Sequence, residues 1–220
     1  NNYKYAAISH SSLCLIIYKA YQTKRHKDFI ISMLQKNEPD GRAIDRAINN
    51  LIMNQIIHPE KSSFHSNYFY LISGRGEYSE EQIICSIAPF GALSHLSAMA
   101  IHGITNRIPK KIYFTSPNDQ IWRDLYNKYL KNKDVSSNIP KYLNLSPIKS
   151  GKILNKNIDV KKTVNEIDTL IIKRSPLRVT SIPKTFVDML SSPSKCGGED
   201  HVLDVFINEA RLFSNEIINF

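Results

Sequence analysis

The sequence predicts an α+β protein in two parts: a small helical domain closed by a β-hairpin over residues 1–78, and a mixed α/β domain over 79–220. Three observations predict this. Apolar residues recur at helical spacing as far as Ile56, and then give way to the aromatic and β-branched run Tyr68-Phe69-Tyr70-Leu71-Ile72. A glycine-bearing hinge, Ser73-Gly74-Arg75-Gly76-Glu77, follows that run. Beyond the hinge, strand-like and helix-like stretches alternate as far as Phe213.

In order, residues 10–22 read as a helix with Leu13, Ile16, Ile17 and Ala20 inward and Ser11 or Ser12 as cap. Residues 27–35 read as a second helix through Phe29, Ile30, Met33 and Leu34. After the turn Asn37-Glu38-Pro39-Asp40-Gly41, a third helix runs from about Arg42 to Ile56. Its inner stripe is Ile44, Ile48, Leu51 and Ile52; Arg42, Asp45, Arg46, Asn49 and Asn50 face outward. The loop 60–67 joins 56–58 to 68–72 as a hairpin, and 78–86 is a short helix or a connecting strand.

In the second part, 91–102 reads as a helix ended by Gly103. Strands are expected at 111–115, 152–159, 160–164, 169–173 and 179–182, those of 152–173 in an antiparallel sheet. Helices are expected at 120–130, from Pro183 through Leu190, and at 201–213, with an irregular stretch at 132–147 and a turn at 193–198.

Hydrophobic residues make 42% and charged residues 22% of the 220, which excludes a disordered tail, a collagen-like rod and a coiled coil. No apolar run approaches the roughly 18 residues of a membrane span, and no secretory leader is visible. The three cysteines, Cys14, Cys85 and Cys196, are far apart and form neither a metal knuckle nor a disulfide framework, so a reducing cytoplasm is expected. The net charge of +9 suggests an anionic partner. It is unevenly spread: residues 107–184 carry seventeen basic against six acidic side chains, and 196–220 one against five.

Three short helices and a hairpin are the layout of a winged helix-turn-helix, whose third helix enters the major groove. Arg42 and Arg46 suit phosphate or a guanine edge, and Asn49 or Asn50 an adenine edge. Lys61 and His65 would lie on the wing, and Lys110 and Lys111 would add backbone contacts from the basic segment. The competing reading is a small helical domain that binds protein.

Enzyme signatures are sparse. His95 and His102 share one helix face seven residues apart, too far to chelate one metal unaided. No H-E-x-x-H, G-x-S-x-G or Walker motif occurs. A nuclease would need clustered carboxylates for Mg²⁺. Asp159, Glu166 and Asp168 precede Lys173, but Ile171 stands where an acidic ligand is needed. No catalytic residue, metal or cofactor is assigned.

One stretch resembles a known pattern. Residues 89–105, containing Ser94-His95-Leu96-Ser97-Ala98 and Ile101-His102-Gly103-Ile104, are similar to AbiEi-type antitoxins, with Pro109 and Ile112-Tyr113-Phe114 matching the proline and strand that follow. Residues 179–190 resemble that family's strand and helix, with Thr185 and Asp188 three apart, although Pro183-Lys184 replaces the usual Glu-Arg. Residues 193–198 resemble its Cys-Gly-Gly turn through Cys196, Gly197 and Gly198. The likeness covers roughly 80–215, and the chain ends short of the carboxy-terminal helices many relatives carry.

The resemblance implies a transcriptional autorepressor and antitoxin of a bacterial type IV toxin–antitoxin system, linked to abortive phage infection. It implies binding to double-stranded DNA with inverted repeats upstream of its own operon. The implied toxin is nucleotidyltransferase-like and forms no stable complex with the antitoxin; no cofactor or membrane is implied. The shared residues His95, His102, Gly103, Thr185, Asp188, Gly197 and Gly198 would serve as structural elements. The alternatives are a winged-helix regulator without a toxin partner, and a nuclease-like enzyme.

Overall fold

The computed structural model describes residues 5–26, 29–31, 34–63, 68–76, 78–135 and 139–218. It is a mixed α/β fold of several helices around two principal sheets.

The first sheet has three antiparallel strands in the order β1 (Ala7–Ser9), β5 (Tyr68–Ile72), β4 (Ile57–Lys61). Ser9 leaves β1 in an extended conformation and caps α1 (His10–Thr23), its side chain accepting from the Ser12 amide. The buried side of α1 is Ser11, Leu13, Cys14, Leu15 and Tyr18. This corrects the expected stripe, since Ile16 is exposed.

Lys24, at φ 50°, ends α1, and the chain turns into the strand pair β2 (Arg25–His26) and β3 (Phe29–Ile30). The expected helix over 27–35 is therefore overturned at 29–30, and Met33 lies outside the described residues. The aromatic and β-branched residues there suit a strand as well as a helix face. Two helices, not three, precede the hairpin among the described residues.

Asp40 caps α2 (Gly41–Met53), accepting from the Ala43 amide at 2.9 Å, and Ile44 and Ile48 are buried beneath it. The helix stops at Met53 rather than Ile56: Asn54 Nδ2 donates to the Asn50 carbonyl at 2.7 Å, and Gln55 takes φ 55°. α3 (Glu80–Ile87) resolves the ambiguity at 78–86 as a helix opened by a capping box between Ser79 and Gln82.

The second sheet has six strands in the order β10 (Thr169–Ile171), β11 (Arg178–Thr180), β6 (Ala92–Leu93), β7 (Lys111–Pro117), β9 (Lys156–Thr163), β8 (Gly151–Ile153). It is mixed: within the stretch expected as antiparallel β8 does pair antiparallel with β9, but β10 lies at the opposite edge, antiparallel to β11, while β7 pairs parallel with β9 and β11 parallel with β6. The return from β7 to β9 passes through α5 (Asp119–Lys131), the irregular stretch and the β8 hairpin. Lys156–Thr163 is one continuous strand, where 152–159 and 160–164 were expected as two.

The helix expected over 91–102 is split. Ala92 and Leu93 form β6, and α4 covers only His95–His102. Gly91 explains the split: a Cβ there would lie 2.1 Å from Phe114 Cε1, so glycine admits the backbone against β7 as a strand.

α6 (Ile182–Ser191) begins with Pro183 in its first turn. The expected last helix is α7 (Glu199–Glu209), followed by a 3-10 turn over Ala210–Phe213 and by α8 (Ser214–Ile218).

Helices cover both faces of the larger sheet. On one face Ile112, Phe114 and Ile158 join an apolar cluster with Trp122 and Tyr126 of α5. That cluster continues through Ile84, Leu13 and Phe69 to Ile44, so the core runs unbroken across the expected boundary at 78/79. On the other face Tyr113 packs with Leu96, Met99, Phe186, Met189, Val202 and Val205.

Candidate functional site

Two places concentrate polar side chains. The first is the outer face of α2 with the neighbouring hairpin. Arg42, Asp45, Arg46, Asn49 and Asn50 are all exposed. Arg46 Nε donates to the Arg42 carbonyl at 3.3 Å, which lays the guanidinium along the helix. The face is not purely basic: Asp45 sits among the arginines, and Lys36 pairs with Asp40 at 3.0 Å. Such a mixture suits base-edge reading, since a carboxylate can accept from the cytosine amino group.

Lys61 is exposed at the end of β4, and His65 lies outside the described residues. The hairpin is braced by the second part: the Lys152 amide donates to Ser63 Oγ at 2.8 Å. The helical layer is braced likewise. Ser11 Oγ donates to the Asn144 carbonyl, and Tyr142 Oη to the Pro39 carbonyl at 2.9 Å, next to the α2 cap.

The second place lies on the sheet face covered by α4 and α6. Strand alternation puts Lys111 and Tyr113 of β7 on the same side as Asp159 and Lys161 of β9, since Tyr113 is opposite Asp159. Lys111 Nζ and Lys195 Nζ each stand 3.0 Å from Asp159, on different oxygens. Burial works to raise the Asp159 carboxyl, but the two lysines outweigh it and hold it below the usual range. One turn apart on α6, Lys184 donates to Asp188 Oδ1 at 2.6 Å, with Lys161 3.8 Å from the same oxygen. Lys111 is thus half-buried in an ion pair and lies 5.1 Å from the Tyr113 ring, while its neighbour Lys110 is exposed.

His95 lies within electrostatic reach of this cluster. It is 1% exposed, and its Nδ1 is 2.8 Å from Ser94 Oγ. Burial pushes the imidazole down to about 4; Asp188 opposes this, and Lys161, Lys195 and Lys184 reinforce it. The ring is therefore neutral at pH 7. His95 also takes φ 50°, a left-handed conformation that non-glycine residues adopt at a cost. Two buried side-chain atoms lack a hydrogen-bond partner among the described residues: His95 Nε2 and Asp188 Oδ2.

The other residues shared with the resemblance hold the chain in place. His102 Nε2 donates to the Thr180 carbonyl at 2.7 Å, and Thr185 Oγ1 lies 3.0 Å from Thr180 Oγ1. Gly103 ends α4 at φ 72°, and Gly198 opens α7 at φ 97°. At Gly197, with φ 102°, a Cβ would meet His201 Cδ2 at 2.6 Å.

The structure thus gathers His95, Asp188 and Lys111 around one cluster, and keeps them apart from Arg42, Arg46, Asn49 and Asn50. Sequence reading did not single out Lys161, Lys184 and Lys195 as a group. The available signals were the i,i+4 spacing of Lys184 and Asp188 and the i,i+2 spacing of Asp159 and Lys161.

Among the described residues no group of three His, Cys, Asp or Glu side chains is placed to hold a metal, and no helix is long and apolar enough to cross a membrane. The three cysteines are buried and free. Burial pushes the Cys14 and Cys196 thiols up to about 12 and raises that of Cys85, which leaves them unreactive as nucleophiles. Compared with known proteins, the chain matches no family model and no curated sequence.

Proposed function

We propose that this chain is a DNA-binding transcriptional autorepressor of winged-helix type, with the antitoxin role that its resemblance to AbiEi-type antitoxins implies. The observation that carries the reading is α2: a capped helix with a wholly exposed polar face, Arg42, Arg46, Asn49 and Asn50, on an apolar stripe. The hairpin β4–β5 follows it directly and joins β1 in a three-stranded sheet, the order of a recognition helix and its wing.

In this reading α2 contacts base edges and Lys61 the backbone of double-stranded DNA carrying inverted repeats. The toxin side, a nucleotidyltransferase-like partner without a stable complex, rests on the resemblance alone. A nuclease reading has less support, since Asp159 is held by two lysines and, among the described residues, stands in no group of three metal-ligating side chains.

The test is a mobility-shift titration of the full chain on the DNA upstream of its own gene. The Arg42→Ala, Arg46→Ala double variant weakens binding at least tenfold, and the salt slope falls by about one unit for each arginine that touched phosphate. Unchanged affinity in the folded double variant would remove α2 from the interface.

A further inference from the structure

We propose that Lys111, Lys161, Lys184 and Lys195, set around Asp159 and Asp188 beside buried His95, form a site for a dianionic phosphoryl group, the group carried by a phosphate monoester. The site is separate from α2 and goes beyond DNA recognition.

Charge comes first. Four ammonium groups meet two carboxylates, Asp159 and Asp188, each shared between two lysines. The histidine among them is neutral, so two positive charges are left over. A dianion cancels that excess, whereas a backbone diester, with one charge, cancels half of it. The lysine side chains are 27% to 43% exposed, so each keeps part of its surface in solvent while its ammonium is held by a carboxylate. The paired aspartates fix the ammoniums in advance, and little side-chain ordering remains to oppose binding.

The two unpartnered atoms point the same way. In the tautomer in which the Ser94 hydroxyl donates to His95 Nδ1, the neutral imidazole carries its hydrogen on Nε2. Among the described residues that N–H has no acceptor, and Asp188 Oδ2 accepts from nothing. Leaving such groups unpaired costs about 1–3 kcal/mol each. A phosphoryl oxygen fills the first, and a hydroxyl or amino hydrogen on the carrier of the phosphate fills the second. The left-handed backbone of His95 is a further strain kept at this spot. The ligand class is a phosphate monoester on a hydroxylated carrier, either a free nucleotide or the phosphorylated end of a nucleic-acid strand.

The experiment is isothermal titration calorimetry of the full chain at low salt. The probes are inorganic phosphate, a nucleoside 5′-monophosphate, the matching nucleoside, and a tetranucleotide with and without a 5′-phosphate. Inorganic phosphate and the monophosphate bind and the nucleoside does not. The monophosphate weakens as pH falls through its second ionisation near about 6. Stronger binding of the 5′-phosphorylated tetranucleotide than of the mononucleotide assigns the site to strand ends, and the reverse order to free nucleotides.

Lys161→Ala with Lys195→Ala reduces phosphate affinity at least tenfold while the circular dichroism and melting profile stay native. Should that pair unfold, Lys195→Ala alone, on a surface turn, gives a smaller loss of the same sign. Arg42→Ala with Arg46→Ala leaves phosphate binding unchanged, which keeps this site's failure distinct from that of α2. The proposal is overturned if no phosphate probe binds, if the unphosphorylated tetranucleotide binds as well as the phosphorylated one, or if the folded lysine variants bind as the parent does.

Discussion

α2 and α4 are helices of opposite construction. α2 buries two of its thirteen residues, Ile44 and Ile48, and presents the rest to solvent or to its neighbours' edges. α4 buries five of its eight, including both polar residues of its first turn, His95 and Ser97. α2 has its N-cap bond from Asp40, whereas Ser94 makes no cap bond at α4 and turns its hydroxyl to His95 instead. The difference teaches where polar chemistry is dispensable to the fold. On α2 the polar face can change with little cost in stability, and in the proposed reading only DNA recognition suffers. Around α4 and its partner α6, the buried polar groups His95, Ser97, Thr185 and Asp188 are part of the packing, so a change in them touches stability as well, whereas the part-exposed lysines beside them can change at less cost.

The sharpest way to break this comparison is to cut the chain. Removing residues 79–220 takes away Asn144 and Tyr142, which support α1 and the α2 cap, and opens the shared core. The shortened chain is expected to lose its cooperative melt, measured by circular dichroism; a sharp native-like melt would show that α2 and its sheet stand alone.

Next in size is Phe186→Ala. Phe186 is 1% exposed, meets Phe206 edge-on at 5.0 Å and packs with Leu96, Met99 and Met189. Truncation is expected to cost about 3–5 kcal/mol in urea unfolding. A loss below about 1 kcal/mol would mean that the α6 face is loosely packed.

A comparable but pH-dependent effect comes from His95. Its folded value of about 4 lies below its ordinary 6.5, so between these the unfolded chain binds a proton that the folded chain refuses. Stability contributed by neutral His95 is complete above pH 6.5 and is lost as pH falls toward 4, by roughly 3 kcal/mol in all. Unfolding curves across that window, compared with those of His95→Gln, isolate the contribution. His10 and His201, also lowered by burial, keep part of the slope in the variant. An identical slope in both proteins would refute the assignment.

The smallest expected effect is Arg42→Ala with Arg46→Ala, which should move stability by no more than about 0.5 kcal/mol while weakening DNA binding. A large stability loss would make the α2 face structural and erase the contrast.

The same contrast explains what was legible in the sequence. α2, α5 and the hairpin follow from local pattern: an apolar stripe, a capping residue, an aromatic run between turn residues. The segment at 27–35 misled because Phe29 and Ile30 suit either period. The split at Gly91 and the parallel pairing of β7 with β9 depend on what lies across the sheet, which no local window contains. Thr185 and Asp188 entered through resemblance rather than pattern, and His95 through its spacing from His102 as well. The long-range pairs were out of sight, since Lys195 reaches Asp159 and His102 reaches Thr180 across long stretches of chain.

The support of α1 by the Asn144 carbonyl also sets an order of events during synthesis. Once Ile72 has emerged, β1, β4 and β5 can pair, yet the flank of α1 that faces Leu143 and Leu145 still has no cover. At ribosomal speeds the stretch from Tyr78 to Asn144 takes roughly 3 to 13 s to appear. Throughout that interval the nascent chain shows an apolar flank to the crowded surroundings of the ribosome, a target for chaperones. A slow codon run between those positions would prolong that exposure, and the yield of folded protein would fall without any change in the amino-acid sequence.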